Sequence, residues 1–247
     1  MAITKKAPEL IADSNSFCPG CGHGIVVRLI AEVLEEMEIK RSEAICALAV
    51  GCACLVNGTL KVDRLGSPHG RAAATAAGIK RCRPDKLVFT YQGDGDAVSI
   101  GFSETIYAAQ RNEKITAVII NNGVFGMTGG QASPTTLIGQ KTATTVNGRR
   151  AEISGLPVDV MKLLTQFDSV AYLARGSVHE ARHVLKTKEY LRRAFAIQMT
   201  GRGYGCVEIL SPCPTNWHLS PEASVERIAN EVMAYYPLGE IRTGGQA

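Results

Sequence analysis

Two cysteines in the stretch FCPGCGHGIVV, Cys18 and Cys21, stand at metal-ligand spacing. A single Cys-x-x-Cys pair rarely completes a metal site, so further thiolates have to come from elsewhere. The remaining cysteines are Cys46, Cys52, Cys54, Cys82, Cys206 and Cys213, without the second Cys-x-x-Cys of a zinc ribbon. A different chemistry is suggested by QGDGDAVSIG, where Gly93 and Gly95 flank Asp94. Glycines at a strand-to-helix turn let backbone N–H groups approach a phosphate, and a helix start favours negative charge. A carboxylate there repels phosphate unless a divalent cation lies between them, which makes Asp94 a candidate magnesium ligand. Alone, Gly-Asp-Gly reads first as an ordinary tight turn. It is not a dinucleotide fingerprint, because Val98 stands where glycine is needed, and no Gly-Lys-Ser/Thr follows to make a P-loop. The stretch IINNGVFGMTGG adds to it, with Asn122 placed 28 residues after Asp94. One βαβ unit would bring the two together, with the Asn122 amide oxygen and the Val124 carbonyl completing the protein's share of an octahedral site.

The elements that must position these residues follow from hydrophobic periodicity. Ile25, Leu29, Ile30, Val33, Leu34 and Met37 recur at helical spacing, which predicts a helix over 22–38. AICALAV (44–50), KLVFTYQ (86–92), ITAVIIN (115–121), SVAYLA (169–174) and CVEILSP (206–212) read as buried strands. Helices are predicted over 69–82, from GDGD to about Arg111, in PVDVMKLLTQF, over 177–198 and over 221–235. His179 and His183 fall on the charged helix 177–198 and read as solvated. Residues 122–156 are rich in Gly, Thr and Ser with little periodicity, the mark of a functional loop or of a mis-assigned element. Strands alternating with helices predict an α/β fold, a mostly parallel sheet with helices on both faces. Ligands gather at the carboxyl ends of such strands, and those ends carry GCAC, GDGD, NNGVFGM and SPC. No repeat or linker divides the chain, so 1–247 reads as one domain.

Composition narrows the function. A hydrophobic content of 45% suits a globular chain, and the net charge of +4 is too dispersed for a nucleic-acid surface. The longest nearly apolar run, Ala44 to Val56, is too short for a membrane span. MAITKKAPELIADSN lacks the apolar region of a secretory signal, which gives a cytoplasmic reading. Eight cysteines in that compartment point to metal or redox chemistry rather than disulfides.

The GDG…NN pair resembles the thiamine diphosphate-binding motif. Taken in order, FCPGCGHG, GCAC, SPHGRAAATAAGIK, QGDGDAVSIG, NNGVFGMTGGQASPTT and EILSPCPTNW resemble the β subunit of a 2-oxoacid:ferredoxin oxidoreductase over nearly the whole chain. That resemblance implies the diphosphate-domain fold. It implies a 4Fe-4S cluster held by Cys18, Cys21, Cys52 and Cys213. Cys46, Cys54, Cys82 and Cys206 are then left over as small buried hydrophobes, with Cys206 the nearest competitor to Cys213 and a structural zinc the alternative for Cys18 and Cys21. It further implies that Asp94, Asn122 and the Val124 carbonyl hold Mg2+ on thiamine diphosphate. Gly93, Gly95 and Asp96 would form the phosphate turn, and Gly126, Met127 and Thr128 would continue the loop around the cofactor. Gly51, beside Cys52, and Gly70 of PHGR join this set, with His23 and His69 facing the cofactor. Trp217 would pack near the cluster.

The implied reaction is the coenzyme A-dependent oxidative decarboxylation of a 2-oxoacid with electrons passed to ferredoxin. In relatives, the glutamate that activates thiamine lies on a separate pyrimidine-binding domain, and this chain has no counterpart of that domain. The resemblance therefore implies an α subunit as partner, with further γ or δ subunits or ferredoxin itself relaying electrons. GMTGGQ.SPTT resembles enzymes acting on branched-chain 2-oxoacids or 2-oxoglutarate, and Met127 would offer an apolar wall to a substrate larger than pyruvate. A non-redox thiamine diphosphate-dependent decarboxylase or synthase subunit stays open as an alternative, as does an electron-transfer protein without thiamine.

Overall fold

The computed structural model describes residues 6–244. Residues 1–5, the start of the stretch read as lacking a secretory signal, and residues 245–247 lie outside it. In chain order, α1 (His23–Glu36) leads to β1 (Ala44–Leu48), β2 (Asp63–Gly66), α2 (Ala72–Cys82) and β3 (Leu87–Gly93). A single π-helical turn (Asp96–Ile100) opens α3 (Phe102–Gln110), which is followed by β4 (Thr116–Asn121). The short strands β5 (Val124–Phe125) and β6 (Gln131–Ala132) come next, then α4 (Ala151–Ser154), α5 (Val160–Leu164) and β7 (Tyr172–Ser177). The chain finishes with α6 (Ala181–Met199), β8 (Gly205–Leu210), α7 (Pro214–Trp217), α8 (Pro221–Arg227), α9 (Met233–Tyr235) and β9 (Gly239–Arg242).

Seven strands form one sheet in the order β2-β1-β3-β4-β8-β7-β9. All neighbours are parallel except β7 and β9. The central strands are buried on both faces and therefore read as continuous apolar runs rather than as alternation. One face carries α1 and α6 over a core containing Val26, Ile30, Leu34, Phe89, Leu191 and Phe195. The other carries α2, α3 and α5 over Val88, Ala109, Ile119, Met161 and Leu164. From β1 the chain moves outward to β2 and then crosses back to β3, so the order reverses between β1 and β3. The carboxyl ends of those two strands bear Gly51-Cys52 and Gly93–Asp96.

The structure moves several predicted elements. The strand expected over 169–174 runs from Tyr172 to Ser177 and includes Arg175, which is buried. Its guanidinium donates to Glu208 (2.6 Å) and Asp159 (2.5 Å), and the Asn121 amide donates to the other Glu208 oxygen (2.8 Å). A charge paired in this way is accepted inside a strand. The helix expected from 177 begins at Ala181, so His179 precedes it. His179 is buried rather than solvated, His183 is half-buried, and burial lowers the pKa of both imidazoles. Of the four leftover cysteines, Cys46 and Cys206 are buried as expected, Cys54 is half-buried, and Cys82 is exposed at the end of α2, so it is not a core residue. The aperiodic loop is ordered by Arg149, which donates to the carbonyls of Ser133, Pro134 and Ser154. Among the described residues, no helix is long and apolar enough to cross a membrane.

Candidate functional site

At the reversal between β1 and β3 an open cleft meets the sheet edge, the place where ligands of open α/β sheets gather. Its wall gathers Gly51 and Cys52 after β1, Gly93, Asp94, Gly95 and Asp96 after β3, and Asn122, Val124, Gly126, Met127 and Thr128 after β4. His23, at the start of α1, and His69, ahead of α2, complete the residues expected there. Val50, Ala53 and Phe125 also line it, although nothing in the sequence singled them out. Four expected residues do not line the cleft: Gly70, Cys18, Cys21 and Cys213.

Asp94 is almost wholly buried. Its Oδ2 accepts from the hydroxyls of Ser133 (2.5 Å) and Thr135. These bonds and two backbone N–H donors do not offset the desolvation, and burial raises the carboxyl pKa to about 6. A divalent cation would relieve that cost. The Asn122 amide oxygen accepts from the Val124 N–H (3.1 Å), so the residue folds back on its own turn. The Trp217 indole N–H donates to the Asn122 carbonyl (3.0 Å), and the Asn121 amide oxygen takes the Gly123 N–H (3.2 Å). The donor set, one carboxylate with amide and main-chain oxygens, suits magnesium shared with a diphosphate. A Cβ at Gly95 would run into the Phe125 ring, so the turn needs glycine there.

Asp96 is held differently. One oxygen takes His69 Nδ1 (2.5 Å) and the Gly70 N–H (2.8 Å), and the other takes the Gln92 side-chain amide (2.8 Å). With its lone pairs committed, Asp96 positions the turn and orients the His69 ring, leaving Nε2 as that ring's free nitrogen. Gly70 acts through this bond at φ +77, where a Cβ would strike the backbone of Ile100 and Gly101. His23 Nδ1 and the Tyr91 hydroxyl share a 2.8 Å hydrogen bond. Burial pushes the His23 pKa down to about 4, so the ring is neutral at pH 7. Met127 is exposed at the rim, and the Thr128 hydroxyl donates to Gln131 (2.6 Å).

Cys18, Cys21, Cys52 and Cys213 come from three separate segments and lie within one another's electrostatic reach. Burial pushes the Cys21 thiol up to about 12 and Cys52 up to about 11, and the neighbouring cysteines add to both shifts. The Cys213 thiol also rises, chiefly through burial. Such thiols ionise only when a metal compensates them. The Asn216 amide donates to Cys213 Sγ (3.4 Å) and to the Gly126 carbonyl (3.1 Å), tying the quartet to the cleft loop. Cys52 belongs to both the cleft wall and the quartet.

Sequence reasoning missed Ser133, Thr135, Gln92, Tyr91 and Asn216 as supports of the site. The hydroxyls of SPTT and the amide of PTNW, within segments that carry the family resemblance, are the signal that points to Ser133, Thr135 and Asn216. Trp217, expected only to pack near the quartet, also holds the Asn122 carbonyl.

A family model described as "Thiamine pyrophosphate enzyme, C-terminal TPP binding domain" matches residues 49–209. The ketoisovalerate oxidoreductase subunit VorA of Methanothermobacter thermautotrophicus is 39% identical over 93% of this chain and 48% of its own length. This chain thus spans about half of that relative. The 2-oxoglutarate synthase subunit KorB of Methanocaldococcus jannaschii is 37% identical over 81% of this chain and 69% of its own. Among solved structures, the 2-oxoglutarate:ferredoxin oxidoreductase from Magnetococcus marinus, with 2-oxoglutarate, coenzyme A and succinyl-CoA bound, superposes with a TM-score of 0.70. It is 27% identical, over 84% of this chain and 67% of that one. With Asp94 and Asn122 meeting in one cleft inside the matched region, this chain belongs to the thiamine diphosphate-binding β subunits of the 2-oxoacid:ferredoxin oxidoreductases.

Proposed function

We propose that the whole chain acts as one cofactor-binding unit of an enzyme that oxidatively decarboxylates a 2-oxoacid to its coenzyme A thioester and passes the electrons to ferredoxin. The observation that carries this reading is that Asp94, Asn122 and Cys52 line a single cleft. Asp94, the Asn122 amide oxygen and the Val124 carbonyl hold Mg2+ on the diphosphate. Gly93 and Gly95 let backbone N–H groups reach the phosphates. Thiamine diphosphate, when bound, supplies the nucleophilic carbon for decarboxylation.

The chain's own residues bind and orient. His69, aligned by Asp96, and His23, neutral through burial, line the cleft and orient the cofactor without His23 adding charge. Cys18, Cys21, Cys52 and Cys213 hold a 4Fe-4S cluster. A cluster spreads its thiolates over a larger body than a single zinc ion does. Val50 and Met127 remain exposed at the rim. That suits a site completed by an α subunit with the pyrimidine-binding domain, and γ or δ subunits would extend the electron path. Met127 favours a branched-chain 2-oxoacid or 2-oxoglutarate over pyruvate. The reaction belongs in the cytoplasm.

Iron, acid-labile sulfide and zinc per chain, measured on the anaerobically purified complex, test this reading. About four iron and four sulfide assignable to this chain, with magnesium-dependent thiamine diphosphate binding, are expected. Thiamine binding without iron would instead identify a non-redox decarboxylase or synthase subunit.

A further inference from the structure

We propose that His179, Glu180 and His183 form a binding site for a divalent transition metal of the zinc class. None of the three lines the cofactor cleft or belongs to the cysteine quartet. One ligand atom from each lies within 4.8 Å of the other two. The His179 and His183 rings stack with centroids 4.8 Å apart. His179 Nε2 stands 3.8 Å from Glu180 Oε1, and His183 Nε2 stands 4.0 Å from Oε2.

Two further observations point to a ligand. The Ser177 hydroxyl donates to the Leu210 carbonyl (3.2 Å) and lies 2.7 Å from His179 Nδ1. In the tautomer that carries its proton on Nδ1, His179 donates to the serine oxygen and keeps its Nε2 lone pair free. Metal-binding histidines are commonly fixed by such a second hydrogen bond. His183 Nε2 is buried and has no hydrogen-bond partner, an arrangement that costs free energy unless something binds there.

His-Glu-Ala-Arg-His has the spacing of the helical zinc-peptidase motif, in which two histidines ligate and the glutamate acts as base. Here the helix begins only at Ala181, and Glu180 is extended (φ −139, ψ 151). That turns its carboxylate into the ligand set and argues against the peptidase role. Two imidazoles and a carboxylate select zinc, nickel or copper over magnesium or calcium. Closing the donors onto zinc at about 2.0–2.1 Å requires each to move by roughly 1 Å. Arg182 Nε holds Glu180 Oε2 at 2.7 Å, so Oε1 is the oxygen left for the ion. Val178, adjacent to His179, packs where a Cβ on Gly22 of the Cys-x-x-Cys loop would stand 2.8 Å away. An ion here would therefore brace the turn on which Cys21 rests.

The test is a Co2+ titration of the anaerobically purified, cluster-loaded complex, followed by visible absorption and by equilibrium dialysis with Zn2+. We expect one equivalent per chain, with ligand-field bands and no thiolate-to-cobalt charge-transfer band. His183→Ala and Glu180→Gln should each weaken binding at least tenfold, with iron and sulfide unchanged. Absence of binding by the parent protein, a thiolate charge-transfer spectrum, or undiminished affinity in both variants would overturn the proposal.

Discussion

Ser133 Oγ lies 2.5 Å from Asp94 Oδ2, joining residues 39 apart in sequence beneath the same cleft. Thr135 donates to the same oxygen, and the Thr135 carbonyl in turn accepts from the Tyr236 hydroxyl (3.0 Å). The carboxylate is therefore placed by a relay that reaches the C-terminal helices.

That placement has a pH signature in cation-free protein. The Asp94 pKa is raised from 3.8 unfolded to about 6 folded, so between these values the folded state binds more protons. Stability then falls as pH rises through this window, and at pH 7 the buried carboxylate costs about 3 kcal/mol. Asp94→Asn should unfold at higher urea than the parent at pH 7 and match it near pH 4. The same variant should bind thiamine diphosphate with magnesium at least a hundredfold more weakly. Equal urea midpoints at pH 7 would remove the argument that a cation is needed here.

Cys213→Ser should lower iron from about four per chain to less than half of that in the purified complex. Cys54→Ser and Cys82→Ser should keep full iron and sulfide. Loss of iron in either of the latter pair, with retention in Cys213→Ser, would reassign the ligands.

Trp217→Phe keeps the packing against Arg227, whose guanidinium lies 4.6 Å from the indole ring centroid, but removes the N–H given to the Asn122 carbonyl. Leaving that buried acceptor unpaired costs about 1–3 kcal/mol. Magnesium-dependent cofactor affinity should drop roughly tenfold, with iron content unchanged. Calorimetric titration of the complex reads both the affinity and its magnesium dependence.

Arg175→Met would leave Glu208 buried without its guanidinium partner and should destabilise the protein by about 3–5 kcal/mol. Urea unfolding checks the value. Because Glu208 also accepts from Asn121, the variant should loosen the Asn121–Gly123 turn and weaken cofactor binding more than Glu240→Gln, which sits at the exposed edge strand.

Strands β1, β3, β4 and β8 were legible because each is buried on both faces and leaves an uninterrupted apolar run. Their carboxyl ends then had to share an edge, which brought Cys52, Asp94 and Asn122 together without reference to loop geometry. Legibility stopped where charge is buried. Arg175 looked like the end of a strand because only Glu208 and Asp159, distant in sequence, make its burial tolerable. His179 looked solvated for the same reason, since its neighbour Ser177 contacts it only after β7 extends past Arg175. Edge strands β2 and β9 carry little apolar content and left no pattern to read. Ser133 and Thr135 could not be told from other loop hydroxyls until the chain had folded back onto Asp94.

The four residues of α7 have a consequence for the order of synthesis. Cys213 caps this helix and Trp217 ends it, so one turn near the end of the chain delivers both the last thiolate of the quartet and the grip on Asn122. A nascent chain emerging just past β4 already has Asp94 and Asn122 but neither support. The sheet through β4 should therefore leave the ribosome ahead of a working pocket, which waits for α7 to dock.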